Sequence, residues 1–352
     1  MSWPVPADAL MTGPRGRYLC WSILWSAMAD APQAPVWDRV WAAAHAGDLP
    51  GRAGDLAAAV GLVDLAALAA AADELVLVPA LADAAAMAMY WQEPDLVDWA
   101  LRDHRVQDAL LPVARAVAQS PAARWWAEPV ARGAQRYVEW AGAGQGPALL
   151  SGAGGELAAW RSATLAEERS AARRPADPAA NWSGHWWSAP VHSRLAATTR
   201  ALPGLGAVGL ALVEDGPGAA KARCQPVRPR PAATVCEITG PDDWAQLAAR
   251  YPLDVTRSRR HDWWRVTGWT GTWLIPDYAA VAADYDAIHL TVLGYLTTPG
   301  RDLPAGDART MLAGWDPDTT YWLTDCLAPA GPATRWEQLD DHPVTWIRAA
   351  DG

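Results

Sequence analysis

Phenylalanine is missing from this chain altogether, while tryptophan occurs 23 times. Indole must therefore fill the aromatic places of a core, and each buried indole N–H then needs an acceptor. The same bias weakens any single tryptophan as a sign of ligand stacking. Lysine occurs once, at Lys221, against abundant arginine. With the heavy alanine content, this points to a GC-rich bacterial genome. The net charge is −10. That excludes a general nucleic-acid binder, which needs a basic face to displace counterions from phosphates. The four cysteines, Cys20, Cys224, Cys236 and Cys326, form no C-x-x-C pair. Zinc knuckles and thiol redox motifs are thereby disfavoured, and free thiols in a reducing cytosol are expected. No uncharged apolar run reaches the roughly 18 residues of a membrane span. Arg15-Gly16-Arg17 before the apolar run 18–28 has the outline of a secretory signal. Tyr18, Trp21, Trp25 and Met28 share one helical face, however, so the run is read as an amphipathic core helix of a cytoplasmic protein.

What is present is globular. At 352 residues, 51% hydrophobic and 19% charged, the chain can bury a sizeable core. Its texture changes along its length. Residues 1–150 are alanine- and leucine-rich and read as an α-helical half. Residues 151–190 read as one more helix and a linker at Arg173-Arg174-Pro175-Ala176-Asp177-Pro178. Residues 191–352 carry short β-rich runs at 208–213, 222–227, 234–239, 310–314, 319–323 and 344–348, with short helices between them. The fold class is therefore α+β, with a helical N-terminal half and a mixed or antiparallel sheet in the C-terminal half. Gly204-Leu205-Gly206-Ala207-Val208-Gly209 is a literal G-x-G-x-x-G. A helix is expected before it, at 188–202, and a strand after it. A dinucleotide site needs the reverse, so this is read as a turn.

Chemically capable side chains concentrate between Arg257 and Arg301. This stretch holds two histidines, four aspartates, four tryptophans and three tyrosines. Residues 263–266 and 272–275 read as a hairpin around Gly268 to Gly271. Residues 288–296 read as a further strand. Asp286 then lies in a turn close to His289, and Asp284-x-Asp286-x-x-His289 places carboxylates and an imidazole together for acid–base work. The spacing matches no strong metal motif, so no metal and no cofactor is expected. His261-Asp262 is the second pair. On a strand these neighbours face opposite ways and need partners from elsewhere. Arg257 and Arg260 could clamp an anion. Trp269, Tyr278 and Tyr295 could line an aromatic cleft for a flat ligand.

The leading expectation is a metal-independent enzyme acting on a small anionic or aromatic molecule. His289 or His261 is its acid–base group, Asp286 or Asp262 the orienter, and Arg257 with Arg260 the anion clamp. Trp269, Tyr278 and Tyr295 are the further substrate contacts. The alternative is a non-catalytic ligand-binding or protein-interaction module, with self-association open. A weaker alternative is an ADP-ribosyltransferase-like transferase, on the analogy of a small split sheet over 204–326. The arginine-strand, Ser-Thr-Ser and Glu-x-Glu marks of that family are absent.

Overall fold

In a computed structural model, the structure describes residues 5–29, 38–39, 42–43, 52–64, 68, 73–141, 150–191, 193–216, 218–339 and 345–349. The helix expected at 36–46 and most of the glycine-rich stretch 142–155 lie largely outside these residues. The described helices are α1 (Ala7–Thr12), α2 (Pro14–Ala29), α3 (Ala53–Val60), α4 (Glu74–Ala86), α5 (Leu96–Ala100), α6 (His104–Gln119), α7 (Ala153–Ala171), α8 (Pro241–Arg250), α9 (Thr256–Thr267), α10 (Tyr278–Val281) and α11 (Val292–Thr297). The strands are β1 (Gln135–Trp140), β2 (Ala197–Leu202), β3 (Gly206–Ala207), β4 (Lys221–Pro229), β5 (Val235–Ile238), β6 (Pro252–Asp254), β7 (Trp273–Pro276), β8 (Ala287–Leu290), β9 (Leu303–Ala305), β10 (Ala308–Thr310), β11 (Thr320–Trp322), β12 (Leu327–Pro329), β13 (Thr334–Leu339) and β14 (Thr345–Arg348). Helices dominate the N-terminal half and two mixed sheets the C-terminal half, an α+β fold.

The main sheet runs in the order β14-β13-β4-β1-β2-β11-β8-β5, with β12 on β4 and β3 on β2. Its pairs are antiparallel except β5 with β8. A small sheet runs β6-β7-β10-β9. No described helix is long and apolar enough to cross a membrane. The largest core cluster joins Leu10, Ile23 and Leu110 of the N-terminal helices to Trp244, Trp263 and Leu296. Indole fills this core as composition demands. Buried Trp244 donates to Thr310 Oγ1 at 3.0 Å, Trp263 to the Trp186 carbonyl at 2.6 Å and Trp322 to Thr198 Oγ1 at 2.7 Å.

Several local expectations are overturned. Residues 263–266 are helical, so no hairpin forms. The aromatic and β-branched side chains there suggested a strand, but Arg259, Asp262, Trp263 and Val266 are buried at helical spacing. Gly268, at φ 73°, ends α9 in the left-handed cap that lacks a Cβ penalty. Residues 288–296 divide into β8 and α11, because the Thr291 hydroxyl accepts from the Gly294 amide at 2.9 Å and starts a helix. Residues 197–202 form a strand, β2, held between β1 and β11. Residues 135–140, read as helix, supply the central strand β1. Gly204 and Gly206, at φ 80° and 71°, make the turn from β2 to β3, and a short 3-10 turn at Val208–Leu210 follows. No α-helix opens there to face a pyrophosphate.

Candidate functional site

Opposite partners in a sheet share a face, and neighbours along a strand alternate. Arg136 pairs with Thr199 and Tyr321 with Ala197. These side chains therefore lie on one face of the main sheet. Gln135 pairs with Arg200, Thr320 with His289, and Glu237 with His289. These lie on the other.

His289 sits on this second face and is fully buried. Its Nδ1 is 2.5 Å from Glu237 Oε2 and its Nε2 is 3.4 Å from Asp318 Oδ1. Arg200 Nε donates to the same Asp318 oxygen at 2.6 Å, and its backbone amide to Oδ2 at 2.8 Å. Burial alone would lower the imidazole pKa. The hydrogen bonds and charges of Asp318 and Glu237 outweigh it and raise the pKa to about 9. At neutral pH the ring is thus an imidazolium with both nitrogens donating. It ties strands together and has no lone pair to offer a substrate.

Asp286 does not reach His289. It accepts from the Thr234 amide at 2.8 Å and from the Thr324 hydroxyl, and pairs with Arg230 at 3.3 Å. Burial works to raise its pKa, but these donors outweigh it and hold the carboxyl below the usual range. Asp284 pairs with Arg250 at 2.8 Å.

The second predicted pair is separated as well. His261 is buried, with Nε2 3.1 Å from the Pro175 carbonyl, and burial lowers its pKa. Asp262 accepts from the Gly184 amide at 3.0 Å and from Arg265 at 2.8 Å. Arg257 is exposed. Arg260 donates to the Arg174 carbonyl at 3.0 Å, near the end of α7. Trp269 packs edge-on against Trp273, with ring centroids 4.7 Å apart. Tyr278 is buried and donates to the Ser188 carbonyl at 2.7 Å, and Tyr295 is buried against the helical half. The stretch 257–301 thus knits the core together. None of these side chains lines the larger of the two cavities described below.

That cavity has a volume of about 240 Å³ and lies on the first face of the sheet. Arg136, Thr199 and Tyr321 line it from β1, β2 and β11, while Asp316 and Thr319 come from the loop before β11. Val138, Trp140 and Leu195 give it an apolar side. Gly209 forms part of the rim. Its amide donates to Thr199 Oγ1 at 2.9 Å, and a Cβ there would stand 3.1 Å from the same oxygen. A smaller cavity of about 30 Å³ lies at Arg15, Tyr90 and Asp98 and has room for little more than water.

Two carboxyls line the larger cavity, Asp316 and Glu139, and Glu139 is paired with Arg223 at 3.4 Å. Asp316 Oδ1 accepts from the Glu214 amide at 2.7 Å. Its Oδ2 has no hydrogen-bond partner among the described residues, and the residue lines the cavity. Burial pushes the carboxyl up to about 7, against the opposing Glu214 amide. Arg136 spends Nη1 on the Gln135 carbonyl at 3.0 Å, and its other donors have no partner among the described residues. Burial keeps the Tyr321 hydroxyl protonated, and nearby Asp316 adds to this. The cavity therefore combines a carboxyl that gains and loses a proton near neutral pH, a phenol that donates and a guanidinium that attracts an anion. No group of three or more His, Cys, Asp or Glu side chains is placed to hold a metal ion among the described residues.

Sequence reasoning missed Asp316, Arg136 and Tyr321. Trp315-Asp316-Pro317-Asp318 reads as a solvent turn, and Arg136 lies where helix was expected. The one available signal was the setting of Asp316 and Glu214, carboxylates that directly follow the largely apolar runs 311–315 and 205–213.

No protein-family model matches the chain, and neither a curated protein nor a solved structure is similar to it.

Proposed function

We propose that the chain is an enzyme that performs acid–base chemistry, without a metal, on a small anionic molecule in the 240 Å³ cavity. Asp316 Oδ2 is the group that gives and takes the proton. Arg136 binds the anionic end of the substrate, and Tyr321 Oη donates a hydrogen bond to it. The observation that carries this reading is the shared cavity: an unpartnered carboxylate oxygen and unspent guanidinium donors belong to residues that line the same space. The volume suits a ligand of about one ring, since an engineered 150 Å³ cavity holds benzene. Trp140, Val138 and Leu195 would take its apolar side.

A cytosolic setting goes with this reading, and the four free cysteines support it. The net charge of −10 supports a small-molecule partner over a nucleic acid.

The test is a screen of small carboxylates and phosphates by protein-observed NMR, followed by turnover measurements on the binders. Arg136→Ala should weaken binding by about tenfold or more, as loss of a charge-assisted contact does. Asp316→Asn should bind within about threefold of the unaltered protein and lose turnover. Binding that survives with no turnover in the unaltered protein would make this a ligand-binding protein. Ligand shifts centred on Arg257, Arg260 and His289 would remove the cavity from consideration.

A further inference from the structure

Behind Asp316 stands a second carboxyl that the proposed chemistry does not use. Glu214 is buried, and burial next to Asp316 raises its pKa well above the ordinary glutamate value. Its surroundings thus favour the protonated form over the charged one. Glu214 is locked to the Asp316 loop in both directions. The Gly314 amide donates to Glu214 Oε2 at 2.8 Å, and the Glu214 amide donates to Asp316 Oδ1 at 2.7 Å. Gly314 itself has φ 72°, and a Cβ there would stand 2.7 Å from the Trp187 Cβ, so the loop has little room to shift. The groups that face Glu214 are Asp316, Tyr321 of β11, Tyr295 of α11, Tyr90 after α4, and Arg15 of α2. Arg15 carries Asp98 as its own counter-ion, at 2.6 Å. Glu214 Oε1, Tyr90 Oη, Tyr295 Oη and Arg15 Nε are buried without a well-formed hydrogen bond. The second oxygen of Glu214 thus faces a chamber of polar groups rather than a competing partner for the loop.

We propose that Glu214 is a positioning residue: its side chain and its backbone amide pin Gly314 and Asp316 so that Asp316 Oδ2 stays turned into the cavity. This rests on Asp316 being the acid–base group proposed above. The contribution of Glu214 is geometric. Its Oε2 accepts from the Gly314 amide and keeps the loop closed over the buried side of Asp316. A charge on Glu214 would instead repel an ionised Asp316.

The experiment follows the Asp316 carboxyl carbon by NMR in full-length protein with 13C-labelled aspartate, its signal assigned through Asp316→Asn. No ligand is needed, so a missing substrate would count against the enzyme reading alone. Two variants separate geometry from charge. Glu214→Gln keeps a neutral acceptor for the Gly314 amide, and the Asp316 midpoint should stay within about 0.3 pH unit of the unaltered protein. Glu214→Leu keeps bulk but removes the acceptor, and water reaching the loop should lower the midpoint by at least about one unit. A folded Glu214→Leu protein with an unmoved midpoint would overturn the proposal. So would a Glu214→Gln midpoint lowered as far as that of Glu214→Leu, because Glu214 would then act through charge. Should Glu214→Leu fail to fold while Glu214→Gln folds with its midpoint unmoved, the neutral acceptor is still what distinguishes the two, and the assignment stands.

Discussion

His289 and Glu237 meet across the parallel strands β5 and β8, Nδ1 to Oε2 at 2.5 Å, while Asp318 closes on the other ring nitrogen. The imidazolium is a strut between strands. Removing it leaves buried Asp318 short of a donor. His289→Ala should lower unfolding stability by about 3–5 kcal/mol, the usual cost of breaking a buried charge pair. Urea denaturation at pH 7 checks this, and a loss under about 1 kcal/mol would contradict the strut.

The same pair sets a pH dependence. The folded pKa of His289 is about 9, above the ordinary 6.5. Its contribution is therefore complete below pH 6.5 and fades as pH rises through 9. Stability should fall between about pH 6.5 and 9.5 in the unaltered protein. The slope should flatten in His289→Gln, as followed by thermal unfolding across that range.

Asp316 acts with the opposite sign. Its folded pKa, about 7, lies above the ordinary 3.8. The unfolded chain ionises first, so this carboxyl costs stability progressively between pH 4 and 7 and constantly above. Asp316→Asn should therefore melt higher than the unaltered protein at pH 8 and about equally at pH 4. Equal melting at both pH values would show that Asp316 is not held up by burial. The gain would accompany loss of turnover, since a group kept in a costly state for chemistry is stabilised when neutralised.

Arg15 Nη2 reaches both carboxylate oxygens of Asp98, at 2.8 and 2.6 Å, with the guanidinium almost wholly buried. Asp98→Ala strands that cation. The expected loss is about 3–5 kcal/mol, far above a surface pair. Chemical denaturation of Asp98→Ala beside the surface-pair variant Asp302→Ala, which breaks the Arg309 pair, provides the contrast.

Gly206 supplies a turn that no side chain fits. It sits at φ 71°, and an added Cβ would lie 2.6 Å from the Trp336 ring. Gly206→Ala should cost about 1–3 kcal/mol through backbone strain and the clash together. Gly204→Ala, at φ 80° but with open space around it, should cost less. Thermal unfolding of the two variants side by side checks both.

Local signals were legible where they decide structure. The β-rich runs announced β4, β5, β11 and β14. Reading failed where distant partners decide. Residues 135–140 become a strand because β2 and β4 lie on either side of them, and Trp263 belongs to a helix because its indole reaches the Trp186 carbonyl. The site was hidden for the same reason. Asp316 looks like a turn residue until Glu214, a hundred positions earlier in the chain, closes its other side. His289 is held by two carboxylates and His261 Nε2 meets a carbonyl that the local sequence does not reveal, while His261 Nδ1 is buried without a partner among the described residues.

The order of the main sheet also bears on how the protein is made. β1 pairs with β4, β2 pairs with β11, and β8 is flanked by β11 and β5. Few of these neighbours are close in sequence, so contact order is high and folding should be slow. β2 leaves the ribosome with one edge unfilled until residues 320–322 emerge, which exposes it to association with other nascent chains. Asp316 and Tyr321 arrive with the same segment. A chain halted before residue 316 carries Arg136 without the Asp316 and Tyr321 that line the cavity beside it.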